Sequence, residues 1–252
     1  MAKKADFFAY SRDGEKCKIA RPPVKLSNHV LRKEEWNNAA AMCKKVKGVE
    51  KKRSLKTKKK STKSIRNTLD AISYNDPEFE CLHCSRLGDD SLCTVKCYHS
   101  FTKLHLTPIT ANIQIRGPGP LGYSAHTTTP LAKHQWLGEY IGELRPLSLS
   151  RTQQSHYWLE IPGKCAIDAE EKGNWTRFMN SSCEPNVKLW GECLGKRHVV
   201  LFQALRDIEA GEELCFQYGR AYFEKAGFEC RCPIHEGGKH LPEAGRKRRH
   251  RR

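Results

Sequence analysis

Four of the chain's twelve cysteines lie close together in the sequence. Two residues separate Cys81 from Cys84, and three separate Cys93 from Cys97. Thiolates at such spacings can bind one tetrahedral zinc ion, and we predict a single zinc held by all four. The first fifteen residues contain no apolar run of the kind found in export signals. We therefore expect reduced thiols or bound metal in this protein rather than disulfides.

A second group of residues combines glycine and tyrosine in a short loop. Residues 119–125 have the sequence GPLGYSA, and glycine lets a ligand approach the main chain closely. Taken alone, this segment is equally typical of a plain turn. The overlapping residues 117–122, GPGPLG, are not followed by a helix signal, so we exclude a dinucleotide-binding loop.

Three more segments carry polar and aromatic residues in a fixed order. Residues 137–143 read LGEYIGE, which alone is also compatible with a half-buried strand and a core tyrosine. Next come YWLE at 157–160, IDA at 167–169 and GNWTRFMNSSCEPN at 173–186, and these form the most specific group. The last segment is IEAGEELCFQYG at 208–219.

These segments resemble the motifs of the SET-domain protein lysine methyltransferases, in the same order and with nearly the same spacing, over residues 111–232. The resemblance implies a mainly β SET fold, with small curved sheets around a knot-like core where the last two segments cross. Cofactor and substrate would then enter from opposite faces and meet in a narrow lysine channel. Four residues differ from the usual family pattern. Leu121 lies where members often carry Trp, Ser181 replaces His, Gln217 replaces Asp, and Cys215 replaces a small hydroxyl residue.

The resemblance also implies a cofactor, S-adenosylmethionine, and roles for individual residues. Tyr218 is expected to orient the amine and the sulfonium methyl, with Tyr140 and Tyr157 as additional channel walls or hydrogen-bond partners. Phe216 occupies a position where phenylalanine accompanies di- or trimethylation. Arg177 matches a position near the cofactor and is also compatible with a structural role. The predicted cofactor-binding residues are Pro120, Leu121, Gly122, Tyr157, Arg177, Asn180, Ser181 and Tyr218.

The chemistry implied by the resemblance is physically demanding. Free lysine has a pKa near 10.4, so forming the neutral amine at pH 7 costs roughly 4–5 kcal/mol. A dry aromatic channel and a nearby sulfonium cation both disfavour the ammonium form. Methyl transfer then depends mainly on alignment of nitrogen, methyl and sulfur.

The resemblance implies a second zinc site near the end of the chain. Cys183 would join Cys230 and Cys232, and His235 would supply the fourth ligand, with His240 as a weaker substitute. The alternative is a tail without metal. The Cys81 cluster is similar to part of the cysteine-rich module that precedes SET domains, although it has too few cysteines for that module's multi-zinc cluster.

These motifs divide the chain into six parts. We predict a polar N-terminal region with one helix near residues 27–42 (1–43), a basic linker (44–66), a pre-SET-like segment (78–110), the SET domain (111–219), a post-SET-like segment (220–240) and a basic tail (241–252). Strand-like apolar segments are predicted at 113–115, 136–141, 157–161, 198–205 and 213–218.

The net charge of +17 is equal to the charge of two short tracts. Residues 44–66 contain twelve Lys or Arg and one acid, and residues 246–252 contain six Lys or Arg and no acid. Such tracts repel themselves and are expected to be disordered alone. They suit contact with nucleic acid or nuclear import, although solvated tails are the alternative. No apolar run is long enough to span a membrane.

Three functions remain open from the sequence. The first is a nuclear, chromosome-associated enzyme that methylates a histone tail or nucleosome. The second is a catalytically silent SET module that binds chromatin, motivated by Ser181 and Gln217. The third is a methyltransferase for a non-histone protein, whose basic tracts bind RNA.

Overall fold

The computed structural model describes residues 8–10, 16–19, 23–32, 34–37, 67–74, 77–149, 155–227 and 229–232. The basic tracts, Cys43 and His235 lie outside these residues. The strands are β1 Phe8–Tyr10, β2 Lys16–Lys18, β3 Val24–Lys25, β4 Val30–Leu31, β5 Ile113–Gly119, β6 Gly122–Thr127, β7 Trp136–Glu139, β8 Glu143–Arg145, β9 Trp158–Ile161, β10 Cys165–Asp168, β11 Lys172–Gly173, β12 Asn180–Ser181, β13 Val187–Leu194, β14 Arg197–Ala204 and β15 Cys215–Phe216. The α-helices are α1 Thr68–Ile72, α2 Val95–Phe101, α3 Thr107–Thr110 and α4 Arg220–Ala226, with a π-helix at Thr102–Leu106 and 3-10 helices at Leu147–Leu149 and Trp175–Phe178. A further helical turn covers residues 34–37.

The described strands form five small sheets instead of one large one. Their orders are β2-β1-β5-β6, β4-β8-β10-β9, β11-β3, β12-β15 and β13-β14-β7. The predicted mainly β class is therefore confirmed. Most strands have two to four residues, so each sheet is stable only because its apolar face packs against the others. No described helix is long and apolar enough to cross a membrane.

The longest pairing is the antiparallel hairpin of β13 and β14. Gly195 and Lys196 form its two-residue turn, and both have positive φ angles, 57° and 68°. Such a turn matches the twist of the flanking strands. A Cβ on Gly195 would lie 2.7 Å from the Tyr98 nitrogen, and the Gly195 N–H donates to the Cys81 sulfur at 3.3 Å. The turn therefore joins the sheet of β13, β14 and β7 to the cysteine-rich segment.

Three short strands from the N-terminal part of the chain extend the sheets of the predicted SET segment. Strand β1 pairs in parallel with β5, β3 pairs in parallel with β11, and β4 pairs in parallel with β8. The Trp36 indole N–H donates to the Leu144 carbonyl at 2.8 Å. The N-terminal strands are thus part of the same folded unit as the sheets they extend.

The prediction of a helix near residues 27–42 is wrong over the first half of that range. Val30 and Leu31 form β4, and the helix in the described part of this region covers only residues 34–37. The apolar residues near Ser27 are too few to favour a helix strongly. When β4 pairs with β8, its backbone N–H and C=O groups form hydrogen bonds that a helix would instead form within itself. The pairing also packs Leu31 against the core.

A buried ionic cluster holds the helical turn at 34–37 against the sheet of β8 and β10. Arg145 contacts Glu35 and Asp168, each at 2.6 Å, and the Ser155 hydroxyl donates to Asp168 at 2.8 Å. Burial lowers the pKa of Arg145, but hydrogen bonds with both carboxylates raise it above its ordinary value. Arg145 therefore stays charged and links the N-terminal segment to the core.

We expect Arg145→Met to destabilise the fold by about 3–5 kcal/mol, because Asp168 would become a buried charge without its cationic partner. Urea unfolding followed by circular dichroism measures the change. Arg220→Met is the matched control, since Arg220 pairs with Glu224 at a site where both side chains are more than half exposed. The control should lose less than about 0.5 kcal/mol. Equal losses in the two variants would contradict this assignment.

Candidate active site

The two most specific sequence segments meet through a short parallel pairing. Asn180 pairs with Cys215, and Ser181 pairs with Phe216, in the sheet of β12 and β15. The Asn186 side chain reinforces the crossing, because its amide donates to the Glu213 carbonyl at 2.8 Å and accepts from the Cys215 N–H at 2.9 Å. The crossing places Tyr218 two residues beyond β15.

Two cavities flank Tyr218. The first has a volume of about 420 Å³ and the second about 730 Å³. The residues that line both are His156, Tyr157, Arg177, Tyr218 and Tyr222. Of the predicted cofactor residues, the first cavity is lined by Leu121, Gly122, Tyr157, Arg177, Asn180, Ser181 and Tyr218. Pro120 is not among its described lining residues. The second cavity contains Tyr140, Tyr157, Phe216 and Tyr218.

The Tyr218 hydroxyl is held in one orientation. It donates to the Met179 carbonyl at 2.7 Å, while the Tyr218 N–H donates to the Ser181 hydroxyl at 3.3 Å. Burial raises the pKa of Tyr218 well above its ordinary value, so the phenol keeps its proton. A hydroxyl whose proton is already donated presents oxygen lone pairs to a further donor, such as an amine N–H.

Tyr140 supports the same region from the buried side. Its hydroxyl donates to the Tyr157 carbonyl at 2.8 Å, and burial raises its pKa well above the ordinary value. The hydrogen bond fixes the main chain of Tyr157, whose ring lies under the Arg177 guanidinium at 4.0 Å. Tyr140 therefore positions one wall shared by the two cavities.

Aromatic rings surround Tyr218. Phe216 lies 4.8 Å from it and Tyr222 lies 4.7 Å from it, measured between ring centroids. Phe223 stacks on Tyr218 at 6.3 Å. Such surroundings disfavour a charged ammonium more than a neutral amine. Burial also raises the pKa of Tyr222 to about 12.

Arg177 has its hydrogen-bonding groups turned toward the backbone. Its Nε donates to the Ala169 carbonyl at 2.7 Å, and one terminal nitrogen donates to the Glu170 carbonyl at 3.3 Å. The guanidinium also lies over the rings of Tyr157 and Phe178. The structural role that the sequence left open for Arg177 is therefore present, and the same side chain lines both cavities.

Asn180 links the cavity wall to the β5–β6 turn. Its side-chain amide donates to Glu213 at 2.8 Å and to the Tyr123 carbonyl at 3.4 Å. Gly122, at the start of β6, has a φ of 84°, a conformation that disfavours residues with a Cβ. The glycine and the Asn180 contact together set the position of Leu121 at the cavity edge.

Both predicted cysteine groups come together in space. The sulfur atoms of Cys81, Cys84, Cys93 and Cys97 all lie within 4.8 Å of one another, and the same is true of Cys183, Cys230 and Cys232. The sulfur atoms of Cys183 and Cys230 are 3.8 Å apart, which is about the edge of a tetrahedron with zinc–sulfur bonds of about 2.3 Å. Soft sulfur donors at this spacing fit zinc.

The thiols in both groups shift one another's acidity. Burial and neighbouring sulfur atoms raise the pKa of Cys93 to about 12, and the same causes raise that of Cys183 to about 12. Burial also acts to raise the pKa of Cys81, but hydrogen bonds from the backbone, including Gly195, lower it to about 7. A bound cation favours the thiolate form of every ligand in its set.

Sequence reasoning missed two residues that line both cavities, His156 and Tyr222. Tyr222 lies four residues after Tyr218 and near the start of α4. A helical spacing of two tyrosines could have indicated it. His156 lies 6.4 Å from Tyr222 between ring centroids, and no sequence pattern marks it. Ile19 and Pro23, from the N-terminal region, also line the first cavity.

Comparison with known proteins agrees with this geometry. Residues 122–219 match the family described as SET domain. Over 122 residues, the chain is 37% identical to the histone-lysine N-methyltransferase ash1 of Drosophila melanogaster, which covers 44% of this chain and 5% of that protein. It is 36% identical over 122 residues to the H3 lysine-36 specific histone-lysine N-methyltransferase of Homo sapiens, covering 44% of this chain and 4% of that protein.

A longer match, at 25% identity over 177 residues, is to the histone-lysine N-methyltransferase mes-4 of Caenorhabditis elegans. It covers 60% of this chain and 19% of that protein. The fold and the site thus resemble those of SET-domain proteins over the matched segment. The match at residues 122–219 lies inside the segment 111–232 over which the sequence motifs resemble this family. The chain spans less than a tenth of the length of ash1 and of the human relative.

Proposed function

We propose that this protein is an S-adenosylmethionine-dependent protein lysine N-methyltransferase. The observation that carries the proposal is the meeting of two cavities at Tyr218, inside a SET domain. The smaller cavity is assigned to the cofactor and the larger one to the target lysine. The names of the similar proteins support a histone substrate, and a histone tail or nucleosome is therefore the proposed target.

The smaller cavity has the residues that a nucleoside-containing cofactor needs. Its lining combines aromatic and apolar side chains with the backbone of β12, which offers hydrogen-bonding groups beside an apolar wall. When bound, S-adenosylmethionine supplies an electrophilic methyl group on a sulfonium. The residues of the chain hold the cofactor, exclude water and aim the methyl group toward Tyr218.

In the larger cavity, the proposed role of the chain is to align a neutral amine. The aromatic rings around Tyr218 disfavour the ammonium form, and the Tyr218 oxygen can accept from the amine N–H. Ser181 replaces the usual family histidine, yet its hydroxyl accepts from the Tyr218 N–H at 3.3 Å. Ser181 therefore helps to hold Tyr218 in place, and this favours an active enzyme over a silent binding module.

We expect Tyr218→Phe to lower methyl transfer by about 100-fold or more, because a misaligned amine loses most of the benefit of positioning. Cofactor affinity should change little. Transfer of labelled methyl groups to nucleosomes measures the rate, and calorimetry measures cofactor binding. Tyr74→Phe is the control, because Tyr74 is buried but lines neither cavity. Full activity in Tyr218→Phe would contradict the proposed role.

We further propose that the product is di- or trimethyl-lysine. Phe216 is 7% exposed and lines the larger cavity, where its ring offers no hydrogen bond to a water molecule. Such a water is readily displaced, which leaves room for a methylated amine to turn back into line.

Phe216→Tyr should shift the product toward monomethyl-lysine. Gaining one hydrogen bond to water changes the balance by about 1 kcal/mol, which is several-fold in product ratio. Mass spectrometry after exhaustive reaction measures the methylation states. Phe79→Tyr, at a partly exposed ring outside both cavities, should leave the products unchanged. A wild-type protein that stops at one methyl group would refute the proposal.

Zinc is the proposed occupant of both cysteine groups. Cys81, Cys84, Cys93 and Cys97 form one complete set of four thiols. Cys183, Cys230 and Cys232 supply three ligands of the other, and His235 is proposed as the fourth. The second set lies at the wall of the smaller cavity, which Cys230 and Cys232 line. Its metal would therefore stabilise the cofactor site from one side.

We expect two zinc ions per chain, because thiolate-bound zinc is coupled to folding. Inductively coupled plasma mass spectrometry should find one ion fewer after Cys97→Ser and one fewer after Cys183→Ser. Cys215→Ser is the control and should keep both, since Cys215 belongs to neither group. Metal-free wild-type protein, prepared reduced and without chelators, would exclude both sites.

The basic tracts are proposed to bind nucleic acid and to direct the protein to the nucleus and the chromosome. Deleting residues 44–66 and 246–252 should weaken binding to DNA and flatten its dependence on salt. With fewer Lys and Arg contacts to phosphate, binding releases fewer counterions. Fluorescence anisotropy with duplex DNA at several salt concentrations measures the slope. An unchanged slope would place the DNA contacts elsewhere in the chain.

A further inference from the structure

The N-terminal strands of the chain lie outside the matched SET segment but close to the smaller cavity. Ile19 and Pro23 line that cavity together with Gly122, Arg177 and Asn180. Ile19 is 5% exposed and belongs to the main hydrophobic core, and Pro23 is also buried. Both residues precede the matched SET segment by about a hundred positions.

Ile19 is tied to the wall that carries Leu121 and Gly122. It directly follows β2, which pairs with β1. Strand β1 in turn pairs in parallel with β5, with Ala9 opposite Ile115. Strand β5 forms the hairpin with β6, and the turn of that hairpin is at the cavity edge. The position of Ile19 is therefore set by the same sheet as the turn.

Pro23 is tied to a different segment of the cavity lining. It directly precedes β3, which pairs with Lys172 and Gly173 of β11. The Val24 N–H donates to the Glu171 carbonyl at 2.8 Å, and the Leu26 N–H donates to the Gly173 carbonyl at 2.7 Å. The chain continues from β11 into the 3-10 helix that carries Arg177. Pro23 is thus fixed to the segment that supplies the arginine side of the cavity.

We propose that Ile19 and Pro23 form an apolar wall of the S-adenosylmethionine site, so that the N-terminal segment completes cofactor binding. The inference rests on the function proposed above. The two side chains bring only apolar surface to the cavity, and Ile19 and Pro23 are anchored to two different segments of its lining. They therefore suit contact with the apolar faces of the cofactor and exclusion of water from it, rather than any step of the methyl transfer.

The test compares shortened side chains inside and outside the cavity. Ile19→Ala and Pro23→Ala should each weaken cofactor binding by about fivefold or more, because each removes apolar surface that the cofactor would cover. Leu31→Ala is the matched control. Leu31 belongs to the same N-terminal segment and packs against the same core, but it does not line the cavity. Its cofactor affinity should stay within twofold of the wild type.

Calorimetry with S-adenosylmethionine measures these affinities, and thermal unfolding of the cofactor-free proteins verifies that each variant folds. In steady-state assays, the Ile19 and Pro23 variants should raise KM for the cofactor, with kcat and KM for the histone substrate unchanged. A general loss of structure would instead lower all three variants' stability and activity together. Folded Ile19 and Pro23 variants with wild-type cofactor affinity would overturn the inference.

Hydrogen exchange of the wild-type chain gives a second readout that needs no variant. Cofactor should slow exchange at residues 16–19 and 24–26, and leave residues 95–101 of α2 unchanged. If the exchange rates at residues 16–19 and 24–26 do not change when the cofactor is added, the inference is also overturned, even if a variant failed to fold. A wild-type chain that binds no cofactor would instead reject the proposed function itself.

Discussion

The parallel pairing of β12 with β15 is the contact on which the candidate site depends. Only two residue pairs make it, Asn180 with Cys215 and Ser181 with Phe216, so it contributes few hydrogen bonds of about 1 kcal/mol each. Asn186 adds two more across the same crossing. The pairing sets the distance between the cavity wall at β12 and the tyrosine beyond β15. Together with the hydrogen bonds from Tyr218 to Met179 and Ser181, the pairing fixes Tyr218 relative to both cavities.

Such a short pairing requires support from its surroundings. Strands β1, β3 and β4 each extend a sheet that flanks the site, and Arg145 of β8 joins Glu35 to Asp168 of β10. On the other side, the β13–β14 turn contacts the cysteine-rich segment through Gly195 and Cys81. The site is therefore held by elements from most of the described chain, although its chemistry is concentrated between residues 121 and 222.

Much of the site could be predicted because its residues belong to continuous motifs. Asn180, Ser181 and Tyr218 could be assigned from their neighbours in the sequence, and the cavities contain all three. The Cys81 group could be predicted from spacing, because Cys81 to Cys97 form a local cluster, whereas the group of Cys183, Cys230 and Cys232 was implied only by the family resemblance. The general mainly β architecture followed from short apolar segments separated by glycine, proline and asparagine.

The rest depends on tertiary contacts that no local pattern encodes. Val30 and Leu31 form a strand because they pair with β8, which lies more than a hundred residues further along the sequence. This pairing overrides a weak helical pattern. Strand β10, Cys165–Asp168, is buried at every position, so it lacks the alternation that marks a half-exposed strand. Ile19, Pro23 and His156 reach the cavities only through the folded arrangement of the sheets, and their sequence neighbourhoods carry no signal of it.

The proposed activity of this chain is the transfer of methyl groups to lysine. The most direct measurement incubates the wild-type protein with labelled S-adenosylmethionine and either nucleosomes or a cell extract, followed by mass spectrometry of the labelled proteins. The account predicts methyl-lysine in a histone, with two or three methyl groups at exhaustive reaction. A folded, zinc-containing protein that binds the cofactor but produces no labelled methyl-lysine in either mixture would contradict it.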